Sequence, residues 1–358
     1  MPLGCATRRG ETEGMIPTTA REIRLRSRPA GWPAPENFEL CEVPVRQPDE
    51  DEVLVRNTHM SVDPYMRGRM SDAKSYVAPF ALGEALQGGT VGWVAASRSQ
   101  IPVGSWVRHD RGWRDYATIA TKLAQPIDVN IAPPSAYLGV LGMPGLTAFV
   151  GLHDIGGLGP SDVVFISSAA GAVGSIAGQL AKAHGATVIG SAGSDEKVAY
   201  LTNELGFDAA FNYKNGRSVD QLRRLAPDGI DLYFDNVGGE QLEAALATLV
   251  DHGRIVACGM ISQYNETAKA PRNLTAIVRS RLTMRGFIVF DHQARSGDFV
   301  REVAPQVKSG RIKFPESIVD GLENAPQAFI DMLRGGKYLG KVIVRLADAE
   351  ARSPNTSS

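Results

Sequence analysis

At 358 residues the chain exceeds what one ordinary hydrophobic core takes and suits two domains, each able to bury apolar surface without covalent staples. A formal net charge of -1 and a pI near 6.6 leave no basic excess for nucleic-acid phosphates or for an anionic membrane surface, so neither partner is expected and small molecules are favoured. The three cysteines, Cys5, Cys41 and Cys258, are scattered and lack C-x-x-C spacing; no disulfide framework or structural zinc lobe is implied, and a reducing, cytoplasmic setting fits best.

No apolar run reaches the roughly eighteen residues of a membrane span, and the opening MPLGCATRRGETEGM has no apolar segment of a secretory signal. Residues 1–20 and 349–358 read as polar, frayed tails, and Met15 offers an alternative start. From Arg24 to about Ile131 short strand-like runs broken by Pro and Gly, such as EVLVRNTHMSV and GGTVGWVAAS, predict an irregular, mainly β domain. After GMPGLTAFVGL the rhythm changes to apolar strands alternating with helices. DVVFISS, ATVIGSA, DAAFNY, IDLYFDNV, GRIVACG and LTMRGFIVF give six strands, with helices near 195–205, 217–226 and 240–250 among the crossovers. That alternation predicts an α/β fold with a doubly wound parallel sheet, a Rossmann arrangement. Near the end a helix followed by one strand suits a chain that goes back to complete the first domain. The expected division is residues 21–145 with 318–348, and 146–317.

The stretch SSAAGAVGSIAG, residues 167–178, follows a buried-strand run and opens a helix. Read as A-x-G-x-x-G, its positions are Ala169, Gly171 and Gly174: Gly171 lets a pyrophosphate approach the backbone, and Gly174 lets the helix pack close to the strand. Exposed N–H groups and the positive end of the helix dipole then hold the phosphates. A tight helix crossing has the same small residues, but the alternating context favours a dinucleotide. At the tip of the next strand, where an NAD enzyme places a carboxylate against the ribose, this chain has Ser191, Ala192 and Gly193. Asp195 and Glu196 come later, in the first turn of a helix capped by Ser194. Lys197 opposes the dipole of that helix, a cost that a bound 2′-phosphate turns into a gain, so NADPH is the expected cofactor.

These residues, with FNYK, YFDNVGG, CGMISQYN, SVDPYMRGRM and GMPGLTAFVGL, resemble the zinc-independent medium-chain dehydrogenase/reductases that hydrogenate activated carbon–carbon double bonds: prostaglandin and leukotriene reductases, plant alkenal reductases and bacterial curcumin reductases. The resemblance runs from about Arg24 to Leu346. It implies a GroES-like catalytic domain beside the NADP-binding one, and a homodimer joined along the sixth strand of the nucleotide sheet. It places Ala172, Val173 and Gly174 under the pyrophosphate, Lys197 and Tyr213 on the 2′-phosphate, and Asn236 along the ribose and nicotinamide side. Cys258, Gly259, Ile261 and Tyr264 wrap the nicotinamide half, and the backbone of Phe287, Ile288 and Val289 meets the carboxamide. Thr147, Ser175, Gly193 and Ser194 complete the expected cofactor set. One departure stands out: Tyr338 in GKYLGK occupies a position where the family has Asn, and its contact is left unassigned.

Zinc alcohol dehydrogenases of the broader superfamily carry a Gly-His-Glu run; LGEALQGG here has Gly83 beside Glu84 and no histidine, so no metal is expected. Without a Lewis acid, reducing a conjugated alkene asks less than reducing an isolated carbonyl, because charge spreads to an enolate oxygen that one hydroxyl donor can stabilise. Tyr264 is the candidate donor; an aromatic lid with no proton role is the equal alternative. Tyr65 is expected on the opposite wall, with Met66 as an adaptable apolar contact for the substrate. Arg67 and Arg69 could steer an acidic tail, though ion pairs with nearby acids are the ordinary fate of arginines. Two other readings remain open at this point: a zinc-free NADPH quinone reductase, and a non-catalytic NADPH-binding relative.

Overall fold

The computed structural model describes residues 16–265 and 271–347; Cys5, Met15 and most of both expected tails lie outside them. The first strand, β1 (Thr19–Leu25), pairs antiparallel with β2 (Phe38–Pro44). It begins inside the expected tail, because Thr19 and Ala20 take up backbone pairing opposite Pro44 and Val43. Next come β3 (Glu52–Ser61), the short helix α1 (Met66–Arg69), β4 (Thr90–Ser97), β5 (Trp106–His109), β6 (Tyr116–Ala120) and β7 (Gln125–Pro126). β3 is buried along nearly its whole length, since β4, β6 and a strand from the chain's end all pair with it.

Helix α2 (Met143–Val150), prolonged by a π-helical turn over Gly151–Ile155, carries the chain to the second sheet. There β8 (Val163–Ile166), α3 (Gly174–Ala183), β9 (Thr187–Ala192), α4 (Asp195–Asn203), β10 (Ala209–Asn212), α5 (Ser218–Leu225), β11 (Ile230–Asp235), α6 (Gly239–Leu246), β12 (Leu249–Ala257), α7 (Thr275–Arg279) and β13 (Thr283–Gly286) follow in order. Every strand pair is parallel and the spatial order is β10-β9-β8-β11-β12-β13, so strand order reverses between β8 and β11. In sheets of this kind ligands bind beyond the carboxyl ends at such a reversal. The expected last strand is shorter than its apolar run: β13 stops at Gly286, and Val289–Arg295 winds into helical turns.

After α8 (Ser296–Lys308) the chain returns to the first sheet as β14 (Glu316–Asp320), α9 (Ala325–Arg334) and β15 (Lys341–Arg345). Two strands stand where one was expected. β14 is a half-exposed edge strand with weak apolar alternation, and its pairing comes from β15, far along the chain. β15 runs antiparallel to β3 and joins the two ends of this sheet's chain. Ile23, Met60, Trp113 and Phe329 fill the core beneath it. Apolar clusters cover both faces of the parallel sheet, around Phe165, Leu222 and Tyr233 on one side and around Ile166, Leu180 and Phe234 on the other.

A buried ion pair pins β15 to the end of β3. Lys341 Nζ donates to Asp63 Oδ1 at 2.8 Å and to the Val62 carbonyl at 3.0 Å, and Ser61 Oγ donates to the other carboxylate oxygen. Lys341 and Asp63 are 4% and 5% exposed. Removing one partner of such a pair strands the other charge, at about 3–5 kcal/mol. Lys341→Met is therefore expected to lower the unfolding free energy by about that amount in urea denaturation; a loss under about 1 kcal/mol would show that the pair contributes no more than a surface one.

Candidate active site

β8 ends at Ile166; Ser167 follows, and Ser168 takes a left-handed conformation (φ 50°) that turns the chain toward α3. Gly171 N donates to the Ser168 carbonyl and Ser175 N to the Gly171 carbonyl, both at 3.0 Å. A Cβ on Gly174 would lie 2.5 Å from Ser168 O and 2.8 Å from Ala169 Cα, so the helix start is pressed onto the turn as only glycine allows. Ala169 faces the other way. It is buried, and a Cβ on Gly190 of β9 would lie 2.8 Å from its own Cβ. The turn is held from outside as well: Gly340, just before β15, donates to the Ala170 carbonyl at 2.8 Å and bridges to Gly171.

Beyond the carboxyl ends of β8, β9, β11 and β12 lies a cleft of about 640 Å³, whose walls come from both sheets. Thr147, Gly171, Ala172, Val173, Gly174, Gly193, Lys197, Tyr213, Asn236, Cys258, Gly259, Ile261, Tyr264, Phe287, Ile288, Val289 and, from the first sheet's side, Tyr65 line it. Four expected residues do not. Met66 is fully buried in the first sheet's core, because α1 turns it away from the face that carries Tyr65. Ala169 and Ser175 are buried beneath the turn, and Ser194 serves as the cap of α4, its hydroxyl accepting from Lys197 N at 3.3 Å.

Around the tip of β9 the charges are one-sided. A Cβ on Gly193 would lie 3.1 Å from the Tyr213 hydroxyl, so the bare strand tip leaves room for that ring. Asp195 is turned to the Asn212 and Asn215 amides, at 2.8 Å each. Lys197 Nζ donates to the Tyr338 carbonyl at 2.5 Å; burial and then the nearby Lys214 ammonium push its pKa down, with Glu196 opposing. Lys214 was missed as a contributor, although the NYK triplet contains it. Its ammonium stands 5.9 Å from the Tyr213 ring centre.

At the tip of β11, Asp235 Oδ1 accepts from the Tyr233 hydroxyl at 2.7 Å and from the backbone N–H groups of Val237 and Gly238 at 2.9 and 2.7 Å. Burial raises its pKa and those bonds oppose the rise. Asn236 is anchored next to it, Nδ2 to the Ser167 carbonyl at 2.8 Å and N to Ser167 Oγ at 3.0 Å, which ties this tip to that of β8.

Tyr264 follows the 3-10 turn Ile261–Gln263 after β12. Burial raises its pKa, with the Met260 backbone opposing the rise. Trp32, Tyr76 and Phe290, which carry no motif, also line the cleft, as does Tyr338. Neither arginine of α1 reaches the cleft, and among the described residues neither forms an ion pair. Arg67 donates to Asn265 Oδ1 and the Gly31 carbonyl, and Arg69 to the Ala78 carbonyl and Gln87 while lying over the Phe80 ring. Among the described residues, no group of three or more His, Cys, Asp or Glu could hold a metal ion.

Cys258 shares the cleft wall, and burial, with Asp235 adding, pushes its thiol up to about 12. A thiol reacts as its thiolate, so below that pH its alkylation rate rises about tenfold per pH unit. Iodoacetamide labelling of the Cys258 peptide, followed by mass spectrometry, is expected to climb from about pH 7 to about pH 10 without levelling. A plateau below about pH 9 would contradict the buried, neutral thiol.

Residues 21–127 match a family model described as the N-terminal domain of oxidoreductase, and residues 172–304 one described as zinc-binding dehydrogenase. The NADPH-dependent curcumin reductase of Escherichia coli is 41% identical over 331 residues, 90% of this chain and 96% of that one. The NADP(+)-dependent 2-alkenal reductase of Nicotiana tabacum is 39% identical over 335 residues, 91% and 97% of the two chains. Among solved structures, CurA of Vibrio vulnificus in complex with NADPH superposes with a TM-score of 0.87 at 42% identity, covering 92% of this chain and all of that one. Two sheets joined around one cleft, and this likeness along nine-tenths of the chain, establish that the protein belongs to the medium-chain dehydrogenase/reductases, in the branch of the alkenal and curcumin reductases.

Proposed function

We propose that the protein is an NADPH-dependent reductase of the carbon–carbon double bond of α,β-unsaturated ketones or aldehydes. The observation that carries the cofactor choice is the tip of β9: Ser191, Ala192 and Gly193 put no carboxylate on the strand tip, and a half-buried lysine stands beside a second lysine with its pKa already pushed down. A phosphate between these ammonium groups relieves their repulsion, and the close packing of α3 on the turn that Gly174 allows would keep the helix's amino end beside the cleft. Lys197, Tyr213 and Lys214 would hold the 2′-phosphate, backbone N–H groups of residues 172–174 the pyrophosphate, and Asn236, Cys258, Gly259 and Ile261 the ribose and nicotinamide side. Thr147 and the backbone of Phe287, Ile288 and Val289 would border the carboxamide. Both named relatives carry NADP in their descriptions, and the solved neighbour holds NADPH.

The chemistry a bound reduced nicotinamide supplies is a hydride, which at the β-carbon of an enone makes an enolate whose α-carbon then takes a proton, leaving the carbonyl intact. Tyr264 serves the oxygen end. It lines the cleft, and its phenol would donate to the carbonyl oxygen, where charge grows. Tyr65, from the other side, walls the substrate in. No metal is needed in this reading. A reducing cytoplasm suits Cys41 and Cys258, both free thiols.

Purified protein is expected to oxidise NADPH in the presence of benzylideneacetone and to prefer NADPH to NADH. Lys197→Ala is expected to raise the KM for NADPH by about 10–100-fold, the worth of one charge-assisted phosphate contact, and to leave NADH kinetics nearly unchanged. Equal use of the two cofactors by the unaltered protein would contradict the assignment.

The second copy of a homodimer fits the free edge of the parallel sheet. β13 ends that sheet among the described residues, and Leu274, Val278 and Phe290 are exposed nearby, Val278 at 81%. Light scattering is expected to give twice the chain mass of 38.4 kDa, and Val278→Asp to shift the mass toward the monomer; a monomeric unaltered protein would refute the pairing.

A further inference from the structure

The turn that carries Tyr264 belongs to the parallel sheet, yet it is fastened at both ends to the other half of the molecule. Ile261, at its start, packs against the core of the first sheet, as Tyr65 does. Asn265, at its end, accepts from Arg67 Nε at 2.9 Å through its side-chain oxygen, across 198 positions of sequence. The same guanidinium donates through Nη2 to the Gly31 carbonyl at 2.7 Å, at the loop that brings Trp32 to the cleft. Gly31 is left-handed (φ 85°) and a Cβ there would lie 3.9 Å from the Asn265 carbonyl, so the two loops touch where Arg67 joins them.

Arg67 is only 8% exposed, and among the described residues no carboxylate pairs with it. Burial pulls its pKa down with no neighbouring charge opposing. A cation taken out of water and given no counter-ion is costly, and its planar fork of donors satisfies two acceptors on separate loops in one fixed geometry, which a lysine ammonium does not reproduce. Met66, its neighbour on α1, anchors that helix in the first sheet's core, so the guanidinium has a rigid base.

We propose that Arg67 is a positioning residue for the reaction: by joining α1 to Asn265 and Gly31, it sets where the Tyr264 hydroxyl stands relative to the wall formed by Tyr65 and Trp32. The inference rests on the reading of Tyr264 as the donor to the substrate carbonyl. A donor displaced by about 1 Å loses much of its effect on the rate while leaving the phosphate side of the cofactor's binding surface intact.

The test uses the full chain with NADPH and benzylideneacetone. Arg67→Met is expected to lower kcat at least about tenfold, with the KM for enone and the Kd for NADPH held within about threefold. Asn265→Ala, which cuts only the bond between the two halves, is expected to lower kcat similarly, and the double variant to fall no further than either single one. Arg67→Met combined with Tyr264→Phe should be no slower than Tyr264→Phe alone, whereas Arg67→Lys should recover little. Independently of turnover, amide hydrogen exchange over residues 260–265 of the NADPH-free protein is expected to quicken in both Arg67→Met and Asn265→Ala. Unchanged exchange there, additive losses of kcat, or loss of NADPH affinity in step with kcat would overturn the proposal. Failure of the unaltered protein to reduce any enone would instead sink the proposed function, and the exchange measurement would still decide whether Arg67 holds the turn.

Discussion

Gly174 sets how closely α3 can lie on the turn that follows β8, and the phosphate side of the cleft is built outward from that contact. With a side chain there, the Ser168 carbonyl and the Ala169 backbone would have to retreat, and α3 would sit farther from the turn. The turn in turn bears on the rest of the fold. Its Ala170 carbonyl receives Gly340, which leads directly into β15, and Lys341 is buried against Asp63 at the end of β3. One short path of backbone bonds and a buried ion pair thus runs from the parallel sheet to the mixed one. The two halves of the molecule meet in a fixed relation at the cleft, as positioning a cofactor against a substrate requires.

Electrostatics then separate the two ends of that cleft. At the β9 tip Lys197 and Lys214 repel one another and no acid from the strand intervenes, which makes the region ready for an anion. Around Cys258, Asp235 and Tyr264 burial favours the neutral or hydrogen-bonded forms, and pKa values rise. A thiol kept protonated is a poor nucleophile, which suits a site where electrophilic alkenes would otherwise alkylate it. A phenol kept protonated remains a donor. The same low-dielectric surroundings that make charge expensive also make the one donated hydrogen bond effective.

The periodic alternation of the nucleotide half was legible because β8 is a short, wholly apolar run and because α3 and α4 begin at a glycine and at a capping residue, Gly174 and Ser194. Residues next to one another in sequence were harder to separate. Tyr65 and Met66 look equally suited to a substrate wall, but successive side chains on a helical turn point about 100° apart, so one faces the cleft and the other the core. Ala169 was read through the phosphate motif, yet its methyl group packs inward against Gly190. β14 escaped notice because a half-exposed edge strand has no strong alternation to show. Contacts between distant segments, such as Arg67 with Asn265 and Gly340 with Ala170, leave no local trace, and the arginines' lack of acidic partners among the described residues could be seen only in three dimensions.

The central claim is that this cleft delivers hydrogen to a carbon–carbon double bond and spares the carbonyl. Deuterium tracing tests it most directly: NADPH labelled with deuterium at the transferable position of the nicotinamide is incubated with protein and enone, and the product is read by NMR. The account predicts deuterium on the β-carbon of a saturated ketone. Deuterium on a carbinol carbon, with the alkene still present, would contradict it.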